Sequence, residues 1–174
     1  MVEASHGTAR YYRRMDAGEF DEGEFFRAIA ASGARVLLIG RRALIALSIP
    51  MVTGDYDFWI AFEDIELLNA ALEPLDFVPN RSPEEARRTG WYVLENSEHV
   101  DVFIARSIPT VDGQHVAFED VWQRRQVVAY QSEAGIDLTL PSIDDLILTK
   151  RFGARRRDAV DIGFLESLKR GGAA

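Results

Sequence analysis

Residues 53–60 read TGDYDFWI, two aspartates one residue apart at the mouth of an otherwise apolar run. The aromatic and branched side chains predict a strand, whose two-residue period sends Asp55 and Asp57 to one face and Tyr56 and Phe58 to the other. Two carboxylates held that close repel each other unless a cation lies between them, and an all-oxygen site suits Mg2+ or Mn2+. Two carboxylates alone hold a metal poorly, so a third is needed from elsewhere. HVDVFIA (99–105) offers it, because Val100, Val102 and Ile104 make one strand face and leave Asp101 as the lone acid on the other, 44 positions after Asp57. Asp55, Asp57 and Asp101 have the chemistry to clamp metal ions on a transferring phosphoryl group, with Asp101 also suited to act as general base. Taken singly, Asp55 fits a turn cap, Asp57 an arginine's partner and Asp101 an exposed acid on a half-buried strand. Trp59 shares the face of the pair and is expected in the core. His99 shares the face of Asp101 and is expected at the surface.

Outward from this strand the period changes several times. DEGEFFRAIAAS (21–32) predicts a helix with acids in its first turn, where the dipole favours them, ended by Gly33. RVLLI (35–39) is a continuous apolar run and predicts a strand covered on both faces. Gly40 turns the chain into RRALIALSI (41–49), a helix stopped by Pro50. After the strand at 56–62, Glu63 and Asp64 open a helix with Ile65, Leu68 and Leu72 on one side. NRSPEEARRTG (80–90) is polar and contains proline, which predicts an exposed loop. WYVLENS (91–97) and HVDVFIA predict neighbouring strands, and RQVVAYQSEAGIDLTL (125–140) two more joined through Gly135. PSIDDLILTK (141–150) starts a helix with Pro141 and Ser142 at its cap, and a last helix at 155–168 carries the stripe Ile162, Leu165, Leu168. These elements make an α/β (α+β) architecture, a mixed sheet flanked by helices, two of which close the C-terminus. A single domain is expected over 21–174, with its core at about 35–130 and C-terminal helices at about 141–168, behind a tail or short helix at 1–20.

A chain of 174 residues, 47% hydrophobic, has material for one such core. The formal charge of −8 opposes indiscriminate adhesion to nucleic acid or anionic membrane. Without cysteine there are no disulfides, thiolate metal sites or cysteine nucleophiles. No apolar run resembles a signal peptide or spans a bilayer, so a cytoplasmic protein without membrane contact is expected. One segment runs against the overall charge. KRFGARRRD (150–158) gathers Lys150, Arg151, Arg155, Arg156 and Arg157 against Asp158, which fits either a solvated helix face or phosphate contact.

LLIGRRALIALSIPMVTGDYDFWI (37–60), HVDVFIA and LPSIDDLILTKRFGARRRDAVDIGFLE (140–166) together resemble a small bacterial nucleotidyltransferase of the DNA polymerase beta superfamily, of the minimal or abortive-infection type, over about residues 35–168. In that family a strand runs into a glycine turn and helix, a D-x-D or D-x-E follows on the next strand, and a third carboxylate sits on a later one. Gly40, Asp55, Asp57 and Asp101 match those positions. The acid-leucine pair, lysine and arginine-aspartate pattern of small members matches Asp145-Leu146, Lys150, Arg155 to Arg157 and Asp158. Arg41 stands where many members have a second glycine or a serine, and Met51 where many have arginine, leaving Arg41 or Arg42 to supply that charge. The resemblance implies Mg2+ or Mn2+ on the three aspartates. A nucleoside triphosphate would then lie near Gly40, Arg41, Arg42, Lys150 and Arg151, with transfer of its nucleoside monophosphate to a hydroxyl of a small molecule, RNA or protein. The alternative is a non-catalytic module of the same kind that binds nucleotide or a protein partner, as in toxin–antitoxin systems.

Overall fold

Asp21 starts the first described helix by accepting a hydrogen bond from the Glu24 N–H at 2.9 Å, and α1 (Glu22–Ala31) follows. The computed structural model describes residues 20–109, 113–130, 132–153 and 156–171; the segment expected as a tail lies outside them up to residue 19, as does Arg155. After α1 come β1 (Val36–Ile39), α2 (Gly40–Ala46), β2 (Tyr56–Ile60), α3 (Ile65–Leu72), a single 3-10 turn (Glu73–Leu75) and β3 (Val78–Pro79). Then follow α4 (Pro83–Thr89), β4 (Trp91–Glu95), β5 (His99–Phe103), β6 (Ser107–Pro109), β7 (His115–Ala117) and α5 (Phe118–Gln123). The hairpin β8 (Gln126–Ala129) and β9 (Asp137–Leu140) leads into α6 (Ile143–Gly153) and α7 (Arg156–Gly171). No described helix is long and apolar enough to cross a membrane.

Two expectations are corrected. Residues 80–90 are not simply a loop, because Ser82 and Glu85 form a reciprocal cap, Ser82 Oγ accepting from Glu85 N–H at 3.3 Å and Glu85 Oε2 from Ser82 N–H at 3.0 Å. With Pro83 in the first turn and Gly90 at φ +81° closing the last, α4 is fully specified, and it docks through the buried Ala86. The helix after Gly40 ends at Ala46, before Pro50 could stop it. Ser48 takes a left-handed φ of +66°, and the Ile49 N–H returns to the Leu44 carbonyl at 3.0 Å, closing the helix early. β6, β7 and α5 are short elements that no periodic pattern announced.

The main sheet has the order β1-β2-β5-β4-β3; within it β2 and β5 are parallel and the other neighbours antiparallel. One face bears Leu38, Phe58, Ile60, Val100, Val102, Tyr92 and Leu94 and packs on α1 through Phe25 and Phe26, on α3 through Leu68 and Leu72, and on Leu146 and Leu165 of the C-terminal helices. A fully buried leucine of this kind contributes about 1.5–3 kcal/mol. The other face is covered over part of its extent, where Leu37, Ile39, Trp59 and Ala61 meet Phe118 and Val121 of α5. Trp59 is wholly buried there, its indole N–H donating to the Ala105 carbonyl at 2.8 Å, so the expected core role holds.

Candidate functional site

The partly covered face carries the acids. Cross-strand register pairs Ile39 with Asp57 and Asp57 with Asp101, so both carboxylates leave the same face from adjacent strands, about 4.8 Å apart in backbone spacing. Gly40 closes the row on one side. It has φ +66°, and a Cβ placed on it would stand 2.1 Å from Asp57 Oδ2 and 2.8 Å from its Cγ, so backbone and carboxylate are in direct contact. On the other side His99 lies between two acids, Nδ1 at 3.2 Å from Glu95 Oε1 and Nε2 at 3.5 Å from Asp101 Oδ1. Asp55 precedes β2 and is exposed, its N–H donating to Thr53 Oγ1 at 3.2 Å. Among the described residues no three His, Asp or Glu side chains converge as metal ligands. Asp57 and Asp101 are thus brought together, while Asp55 stands at the edge. The donors are carboxylate oxygens, which suit a hard divalent cation: Asp57 and Asp101 would hold it, with Asp55 as the remaining acid on that side.

The expected phosphate cations divide into two groups. Arg41 and Lys150 meet on Asp161, which is 1% exposed and accepts from Lys150 Nζ at 2.7 Å, Arg41 Nε at 3.2 Å and Arg41 Nη2 at 3.3 Å. Burial works to raise the Asp161 carboxyl pKa, but the hydrogen bonds and charges of Lys150 and Arg41 outweigh it and hold the group below the ordinary range. Arg42 points elsewhere. Its Nη1 lies 2.8 Å from Glu22 Oε1 and its guanidinium stacks 4.1 Å from the Tyr56 ring centre. Glu22 also accepts from the hydroxyls of Tyr56 and Tyr130, and burial together with that carboxylate pushes the Tyr56 pKa up. Arg151 is exposed, 3.9 Å from Glu166. Gly40 therefore touches the carboxylate row and Arg41, next to it in sequence, shares Asp161 with Lys150, whereas Arg42 serves a tyrosine–glutamate knot on the opposite face.

From sequence, Asp161 is expected only to bridge the arginine cluster, and Glu22 has no role beyond its helix terminus. A lone acid in a late helix announces its partners only through packing. Asp145 is similar: 2% exposed, it receives both Arg124 Nη2 at 2.8 Å and Ser142 Oγ at 2.7 Å, which fixes the start of α6.

No family model and no curated protein matches the chain. Solved structures do. A candidate nucleotidyltransferase, TM1012 from Thermotoga maritima, superposes with a TM-score of 0.51 at 12% identity, over 93% of this chain and 90% of its own. The antibiotic-resistance factor ANT(2'')-Ia gives 0.53 at 15% identity, covering 87% and 88% respectively. The lincosamide antibiotic adenylyltransferase LnuA, solved with lincomycin bound, gives 0.58 at 14% identity, covering 87% of this chain and 99% of its own. Sheet order, flanking helices and these superpositions agree that this chain has the nucleotidyltransferase fold.

Proposed function

We propose that this protein is a nucleotidyltransferase that moves a nucleoside monophosphate from a nucleoside triphosphate to a hydroxyl acceptor. The observation that carries this is the contact of Gly40 with Asp57 in register with Asp101, a carboxylate pair beside a strand-to-helix turn where backbone can approach phosphate. Asp57 and Asp101, with Asp55, would hold Mg2+ or Mn2+, which when bound supplies charge stabilisation to the transferring phosphoryl group. Asp101 takes the proton of the acceptor hydroxyl, whose oxygen bonds to the α-phosphorus while the bond to the β-phosphate oxygen breaks and pyrophosphate leaves. Arg41 and Lys150 face the polyphosphate from the α2 side. The acceptor approaches from the opposite side, where Phe103 and Trp91, register partners one side-chain step from Asp101 on the same face, are 38% and 39% exposed.

One observation favours a second reading. Asp55 is exposed and apart from the pair, as suits a module that binds nucleotide or a protein partner without turnover, in the manner of some toxin–antitoxin components. Thermal unfolding with and without Mg2+ and triphosphate, followed by product analysis with labelled triphosphate and cell extract, separates the two. The enzyme reading expects a Mg2+-dependent rise in Tm, lost in Asp57→Asn, and transfer of label to an extract fraction. A metal-dependent shift with no labelled product selects the binding module, and an identical shift in Asp57→Asn refutes the carboxylate site.

A further inference from the structure

Asp161 joins three helices at one buried carboxylate: Arg41 comes from the first turn of α2, Lys150 from α6, and Asp161 itself from α7. A buried acid needs one cation to be neutralised, and Lys150, only 10% exposed and 2.7 Å away, is sufficient. Arg41 is therefore the second cation on this one carboxylate. It is 34% exposed and directly follows the glycine that touches Asp57. The Nε and Nη2 edge of its guanidinium is bound to Asp161, which fixes the plane and direction of the group. We propose that Asp161 is a positioning residue for the nucleotide's polyphosphate, holding Arg41 and Lys150 side by side at the Gly40 turn so that both cations are oriented before the ligand arrives. This role presupposes the nucleotide site proposed above. Long cationic side chains otherwise lose their conformational freedom on binding, and a buried anchor removes that loss in advance. The opposite role, a carboxylate that competes with phosphate for the same cations, predicts the opposite sign.

Calorimetric titration of a triphosphate and its parent nucleoside into wild type, Asp161→Asn, Arg41→Gln and the double variant decides between them. Asp161→Asn is expected to weaken triphosphate binding about tenfold, as lost orientation of a binding group commonly does, and to leave nucleoside binding unchanged. In the Arg41→Gln background the same change is expected to cost much less, because its effect passes through Arg41. Should Asp161→Asn fail to fold, Arg41→Lys serves. It keeps the charge, leaves Asp161 paired with Lys150, and is expected to lose most of what Arg41→Gln loses. Triphosphate affinity that is unchanged or tighter in Asp161→Asn, or an Arg41→Lys variant indistinguishable from wild type, overturns the positioning role alone. Wild-type protein that binds no triphosphate overturns the nucleotide site itself.

Discussion

Gly40 shows how one residue couples backbone and chemistry. Its left-handed φ would cost any other residue about 1–2 kcal/mol, and its missing Cβ is also what lets Asp57 lie against the turn. Gly135 separates the two effects, since it too is left-handed, at φ +82°, but a Cβ placed there would meet nothing within 4 Å. Gly135→Ala is expected to lower stability by the backbone cost alone. Gly40→Ala is expected to lower it further and to abolish the Mg2+-dependent rise in Tm; denaturant midpoints for the two variants measure the difference. At this scale the sequence was informative where strand period sufficed. It put Asp57 and Asp101 each on a face, Trp59 in the core and His99 at the surface. Period could not show that Asp161 would collect Arg41 and Lys150, because that depends on how three helices pack.

Elements were legible in proportion to their length and to the purity of their pattern. The strands at β1, β2, β4 and β5 and the helices α1, α3, α6 and α7 follow from apolar periodicity. α4 was hidden in a polar stretch although Ser82-Pro83-Glu84-Glu85 contains its start signal, because only one of its residues is buried and no stripe drew attention to it. The same scale carries a pH prediction for α6 and α7, which are lashed to α2 through Asp161. The folded carboxyl titrates below the unfolded one, so its stabilisation is complete above the ordinary carboxylate range, about pH 4, and is lost as pH falls through the folded value. Limited proteolysis under acid titration should therefore cut α7 before the sheet.

At the scale of the whole molecule the five-stranded sheet contains a single parallel pairing, β2 with β5, between segments separated by the complete α3–β4 excursion. Such a pairing closes a long loop before any contact rewards it, which makes it a slow step in assembly. Here that step also brings the negative charges of Asp57 and Asp101 onto neighbouring strands. The residues that would serve the chemistry therefore oppose the encounter that builds the sheet. Like charges facing each other across strands cost up to about 1 kcal/mol, so Asp101→Asn is expected to refold about two- to fivefold faster than wild type in a chelator, by stopped-flow fluorescence of the buried Trp59. Mg2+ should accelerate wild type and leave the variant unchanged. A cation that acts this way would be an assembly factor for the chain before it is a cofactor, and in newly made protein the supply of divalent metal would set how quickly the sheet closes.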